Sequence, residues 1–258
     1  MIRSLHAEWT KTRTVPSTLW LLITAPVLIT AVGAVVAEAT NVRSCPTPTT
    51  CLEDTTKLSL TGVLVGQVAI IVVAVLAVGN EYGTGVIRVT LAAVPNRAAV
   101  FVSKLIVVSG LAVLSGLAGI VGAIAAARGI LPANGFNAAN GYQQIAWSAG
   151  STIRAAGGTA AYLALIAVFS TGIAAVVRDT AGALITVLAL LFVSPALAMV
   201  ISDPAWQRRL ERYSPMTAGL SVRSTRDVAE PWTGLATLAV YALAMALAGG
   251  ILLRARDA

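Results

Sequence analysis

Charge is what this sequence has least of. Asp, Glu, Lys and Arg make up 11% of its 258 residues, where a soluble domain carries about 25%. That shortfall excludes an ordinary water-soluble fold. Histidine occurs once, as His6, so no set of imidazoles exists for a zinc centre or a protease dyad. The phosphate-cradling pattern G-x-x-x-x-G-K-[ST] is missing, and with it the means for this chain to hydrolyse a nucleotide itself. Gly83-Thr84-Gly85 starts like a dinucleotide fingerprint. However, Arg88 stands where the third glycine belongs, and an apolar run rather than a strand precedes it. No G-x-S-x-G elbow occurs. The reading is of a non-enzyme, with no catalytic residues, no metal ligands and no cofactor of its own.

Apolar residue types, by contrast, make up 57%. Several uninterrupted runs reach about 20 residues, the length at which a helix crosses the hydrocarbon core. Six spans are expected, at about 18–37, 58–78, 98–127, 155–177, 180–201 and 232–253. The predicted fold is all-α and polytopic, with residues 1–258 forming one transmembrane domain. Ala37-Glu38-Ala39 resembles a signal cleavage site, but the first apolar run is longer than the usual ~7–15 residues of a signal peptide, so a retained span is favoured. The net charge of +7 does not point to nucleic acid. Its basic residues fall at the ends of apolar runs, where headgroups lie, rather than in one stripe.

Between the spans lie a few informative segments. Ile2, Leu5 and Trp9 recur at helical spacing while Arg3, Glu8, Lys11 and Arg13 lie elsewhere, which predicts a short interfacial helix with its apolar face down. A polar loop over 40–57 holds the only two cysteines, Cys45 and Cys51. On an oxidising face such a pair is most simply a disulfide, the alternative being two unrelated thiols. Gly62 and Gly66 form a small-residue face, and Gln67 beside them is read as an interhelical hydrogen bonder. Gly110, Gly116, Gly119 and Gly122 suggest further close packing. Lys104 is expected to snorkel to the surface carrying Arg97. Asn134-Gly135 and Asn140-Gly141 signal turns, and Pro195 is expected to kink the fifth span. Trp206, Leu210 and Tyr213 give the longest loop an amphipathic helical stretch. Glu38, Lys104 and Arg154 all fall near span ends, and span interiors almost free of charge weigh against a proton- or sodium-driven carrier.

Six spans put both termini on one side. If that side is cytoplasmic, the basic residues divide nine inside (Arg3, Lys11, Arg13, Arg88, Arg97, Lys104, Arg178, Arg254, Arg256) and nine outside (Arg43, Lys57, Arg128, Arg154, Arg208, Arg209, Arg212, Arg223, Arg226). The flanks of the first span break the tie, because three basic residues precede it and only Arg43 closely follows. Cytoplasmic termini are therefore expected.

The stretch from Asn80 to Arg97 is polar and partly amphipathic, wedged between two spans, where contact with a partner is the chemistry most available. Glu81-Tyr82, Gly85, Arg88, Thr90-Leu91, Pro95, Arg97 and Lys104 together resemble the permease subunits of type-2 ABC exporters, especially the compact actinobacterial kind. Ala7-Glu8-Trp9-Thr10-Lys11 and Arg13 match ahead of the first span, and Tyr213-Ser214-Pro215 with Ala218-Gly219 match more weakly near the end. The likeness covers essentially the whole chain. Gly83 departs from the larger or polar residue expected after Glu-Tyr, and the cysteine pair is not a general family feature.

The resemblance implies an interfacial connecting helix carrying Leu5, Trp9, Lys11 and Arg13. It also implies a coupling helix between the second and third spans, through which Glu81 to Pro95 take up the motion of a separate ATPase subunit. A second permease copy or a sister permease would face this one across the path, in a bacterial cell membrane. Glu81 and Arg88, seven apart, are expected to share one helical face. The competing reading is an ATP-independent resistance, immunity or binding protein in the membrane.

Overall fold

In the computed structural model, which describes residues 2–42, 54–93, 96–142, 144–225 and 231–255, the chain is a helical bundle with no strand among those residues. The reason is chemical: in hydrocarbon every backbone N–H and C=O needs an intramolecular partner, and a helix supplies one within each segment.

A helix α1 (Ile2–Thr14) leads, through Val15, into α2 (Pro16–Ala39). Pro16 begins α2 because its missing N–H would have been unpartnered there anyway. A short α3 (Thr55–Ser59) runs through one tight turn into α4 (Val63–Gly83), followed by the brief α5 (Val86–Ala93) and the long α6 (Arg97–Ala133). Then come α7 (Gly150–Val177), α8 (Thr180–Val200), α9 (Pro204–Tyr213), α10 (Pro215–Leu220) and α11 (Pro231–Ala255). Side-chain caps fix several starts. Asp54 accepts from the Thr56 and Lys57 amides at 3.1 and 3.0 Å, Asn96 from Ala99 at 3.1 Å, and Asp179 from Gly182 at 2.6 Å. Each cap satisfies amides that the first helical turn leaves orphaned.

Six helices are long and apolar enough to cross a bilayer, matching the six expected spans, and the chain is a multi-pass membrane protein. Three boundaries differ by five residues or more, one being the fourth span, which begins at Gly150 rather than near Ala155. The second span runs over Thr55–Gly83 rather than ending near Val78, and the third reaches Ala133 through Pro132 instead of stopping at Ala127. At 37 residues α6 is roughly 55 Å long, well beyond the ~30 Å hydrocarbon core. The turn signals hold: Gly135 and Gly141 both adopt positive φ, at 92° and 79°.

Helices α4 and α7 form the centre, with 67% of the most apolar window of each buried, against 17% for α2 and for α8. The outer helices turn Trp20, Val27, Val35, Ile185, Val193, Val240 and Leu243 outward, a surface suited to hydrocarbon rather than water. Small residues allow the close approaches. A Cβ on Gly62 would lie 2.0 Å from the Ile29 carbonyl oxygen, and one on Gly119 would lie 2.9 Å from Pro26 Cα. Ile29 of α2 is thus clasped between glycines of two neighbours. Gly66 and Gly122 are similarly closed in by α2, and Gly116 by Leu163, while Gly110 meets nothing. Gln67 accepts a hydrogen bond from the Tyr162 hydroxyl and donates to Met216 Sδ at 3.3 Å, joining α4, α7 and α10 as an interhelical bond should.

At the end of the bundle away from the chain termini, Asp54 also accepts from Thr225 Oγ1 at 2.8 Å and Ser224 Oγ at 3.2 Å. Arg154 donates to the Ser224 carbonyl at 2.8 Å, and Arg223, buried, to the Leu60 carbonyl at 3.0 Å. The segment after α10 is thereby tied down on both sides. Cys45 and Cys51 lie outside the described residues, and so does Pro95.

Candidate functional site

The sequence singles out the connector between α4 and α5, and the structure divides it. Glu81 and Tyr82 belong to the last turn of α4. The helix then breaks at Thr84 and Gly85, where Gly85 takes φ 71°, a left-handed conformation open to glycine and strained for other residues. Only then does α5 begin. Glu81 and Arg88 therefore do not share the face of one helix: the break reorients everything after it.

Glu81 points inward, 8% exposed, into a cluster of four charges. Lys104 Nζ of α6 lies 2.9 Å from Glu81 Oε1 and 2.7 Å from Glu8 Oε2 of α1, and donates a third bond to the Ala77 carbonyl at 2.8 Å. Its three donors are satisfied. Lys11 Nζ of α1 lies 2.8 Å from Glu81 Oε1, 3.1 Å from Glu8 Oε1 and 3.4 Å from Thr90 Oγ1 of α5. Two carboxylates and two ammonium groups thus alternate around a site bounded by α1, α4 and α6, with one thread to α5. Burial works against a charged Lys11, but the carboxylates of Glu81 and Glu8 outweigh it and hold its ammonium above the ordinary lysine range.

One expectation is corrected by this geometry. Lys104 does not snorkel to the surface: it is 4% exposed and paired, because two carboxylates lie within reach inside the bundle. Among the described side chains of α1, Ser4 and Glu8 are buried, while Trp9 is 41% exposed and Leu5 half-buried. The face α1 turns to the protein is therefore its Ser4–Glu8–Lys11 stripe, one step around from the Leu5–Trp9 stripe. Arg13 is exposed.

A second set of contacts gathers beside the first. The Arg178 guanidinium sits 5.2 Å from the centre of the Tyr82 ring, within cation–π range. Arg178, at the left-handed turn between α7 and α8 (φ 61°), also donates to the Leu252 carbonyl at 3.0 Å. Arg97, first residue of α6, donates to the Leu253 carbonyl at 3.1 Å. Two cations thus meet the C-terminal end of α11, where the helix dipole favours them. The end of α4, the α7–α8 turn, the start of α6 and the end of α11 share one end of the molecule with α1.

On α5, Ile87 is buried, Thr90 half-buried, and Arg88, Val86 and Val89 are exposed, Val89 at 69%. Leu91 lies in the helix with its side chain outside the described set. Arg88 makes no side-chain hydrogen bond to any described residue and is free to face a partner. Glu8, Lys104 and Arg178 stood apart from the expected coupling residues. The signal that finds Glu8 and Lys104 is a pair of carboxylates and a pair of lysines near the span edges of the same end; no such signal marks Arg178.

A family model described as ABC-2 family transporter protein matches residues 4–185, more than half the chain, from α1 into α8. No curated protein matches the chain.

Proposed function

The chain belongs to the ABC-2 transporter family, and on that premise we propose that it is the permease subunit of an ATP-driven exporter in a bacterial cell membrane, with both termini cytoplasmic. Proteins of this family are membrane-transport components that work with ABC ATPase subunits. In this reading α5 is the coupling helix and its exposed Arg88, Val86 and Val89 meet the ATPase. Motion delivered there passes through the Lys11–Thr90 contact to the charged cluster, and from it to α1, α4 and α6. The two permeases of the complex, identical or sister chains, then rock against each other.

The observation that carries this reading is the cluster itself. Buried opposite charges resist separation, because parting them leaves an uncompensated ion in an apolar setting. They therefore make α1 and the ends of α4 and α6 move as one body. Energy from an ion gradient is disfavoured by the span interiors, in which no charged residue other than the paired Glu81 and Lys104 near their ends is buried.

The test is co-purification and stimulation. The chain should bring down an ATPase subunit encoded beside it, and substrate should stimulate hydrolysis in the reconstituted complex. Arg88→Glu and Val89→Glu should each weaken that association without lowering the thermal stability of the isolated permease. An ATPase that fails to associate with the native chain would remove the exporter reading and favour an ATP-independent binding protein.

A further inference from the structure

Helix α9 is unlike the other helices of comparable or greater length: none of its residues is buried. Its sequence, PAWQRRLERY, carries three arginines and one glutamate. Trp206 and Tyr213 are 55% and 61% exposed. Among the described residues no hydrogen bond or ion pair engages the side chains of Arg208, Arg209 or Arg212, and Arg209 lies over the Trp206 ring at 5.5 Å.

Its position in depth follows from α8. That helix has 21 residues, roughly 31 Å at 1.5 Å per residue, about the thickness of the hydrocarbon core. Its last residues, Met199 and Val200, exposed and apolar, lie one such thickness from its start, at the far edge of that core. Helix α9 starts four residues later, held to this edge by Gln207, whose Nε2 donates to the Ile201 carbonyl at 2.6 Å and the Ala198 carbonyl at 3.3 Å. It therefore lies at headgroup depth. Around its axis Trp206, Leu210 and Tyr213 form one stripe at i, i+4 and i+7, with Leu210 half-buried against the bundle. Arg209 and Arg212 come next round the helix, and Arg208 beyond them. Aromatic rings beside guanidinium groups are the pattern of a helix lying in an interface.

We propose that α9 binds anionic phospholipid headgroups of the leaflet it faces. Trp206 and Tyr213 seat at the acyl boundary, and Arg208, Arg209 and Arg212 hold the phosphates. Guanidinium forks match phosphate oxygens in pairs, and the excess of two positive charges on a ten-residue helix supplies the complementarity. The occupant is bilayer lipid, and the assignment stands whether or not the chain exports anything.

The experiment uses the full chain with Trp9, Trp20, Trp147 and Trp232 each replaced by phenylalanine, leaving Trp206 as the reporter. The protein is placed in phosphatidylcholine vesicles containing equal mole fractions of either brominated phosphatidylglycerol or brominated phosphatidylcholine. Brominated phosphatidylglycerol should associate with the Trp206 site roughly fivefold more strongly. Arg208→Gln with Arg212→Gln should bring the two lipids level while leaving Trp206 quenched by both. Equal quenching in the starting protein, or a preference that survives loss of the arginines, overturns the proposal, as does a Trp206 that neither lipid reaches. Inorganic phosphate at millimolar concentration should leave the preference intact; its abolition at constant ionic strength would assign the arginines to a soluble anion instead. Should the tryptophan-poor chain fail to fold, phosphatidylglycerol retained by the native chain and by the arginine variants in native mass spectrometry gives the same comparison.

Discussion

Lys104 gathers three acceptors around one buried ammonium, two of them carboxylates from helices far apart in sequence. Removing it with Lys104→Met leaves Glu8 and Glu81 facing Lys11 alone, so one buried charge goes uncompensated. Breaking a buried pair from one side costs about 3–5 kcal/mol, and the variant should show a marked fall in melting temperature in nanodiscs. Removing Glu81 as well, as Glu81→Gln with Lys104→Met, restores neutrality beside the remaining Glu8–Lys11 pair and should recover at least half of that loss. If the double variant is as unstable as the single one, the cost lies in packing and not in charge. Lys11 supplies a test in pH. Its folded-state pKa is raised, so its contribution is complete below the unfolded value of about 10.4. That contribution disappears only as pH rises through the higher folded value. The stability difference between the native chain and Lys11→Met should therefore be flat from pH 6 to 9 and shrink only in strong alkali.

Between α4 and α5 the two neighbouring glycines do different work. Gly85 is left-handed and Gly83 is helical, and a Cβ on either would meet nothing within 4 Å. Space is thus equal and backbone conformation decides. Gly85→Ala should cost about 1–2 kcal/mol through its positive φ and disturb the direction of α5. Gly83→Ala should be neutral or gain up to ~1 kcal/mol by helix propensity. Thermal melts of both variants, with ATPase association as a second readout, separate the two. This break is also where the sequence was hardest to read. Asn80-Glu81-Tyr82 look like the start of a loop because a carboxylate ends an apolar run. What keeps the helix going is a pair of lysines, 70 positions before Glu81 and 23 after it, a partnership no local pattern reveals. The six spans, the helical form of α1, the turns at Gly135 and Gly141 and the amphipathic α9 were all legible, because each depends on local periodicity or on length alone. The polar face that α1 turns to the protein was not, since nothing local says that Glu8 and Lys11 meet Lys104 and Glu81.

Taken as a whole, the molecule is two buried helices, α4 and α7, wrapped by helices whose outward faces suit lipid. By sequence its basic residues divide evenly between the two sides of the spans, yet the described ones do not divide so by role. Away from the termini, Arg154 and Arg223 hold backbone carbonyls inside the polar tie around Asp54, and Arg208, Arg209 and Arg212 crowd onto one surface helix. At the termini, Arg97 and Arg178 close the end of α11. Counting cations therefore weighs orientation poorly here, because several serve the fold before they face any headgroup. The cluster of Glu8, Lys11, Glu81 and Lys104 carries a consequence for energetics under voltage. Moving one elementary charge through a membrane potential involves about 2.3 kcal/mol per 100 mV. Two positive and two negative groups that travel together sum to zero, so the electric field does no net work on the assembly as it shifts. Turnover in sealed vesicles should accordingly be the same with and without an imposed diffusion potential for an uncharged substrate, whereas Lys104→Met, which leaves the moving body one charge short, should make the rate sensitive to its sign.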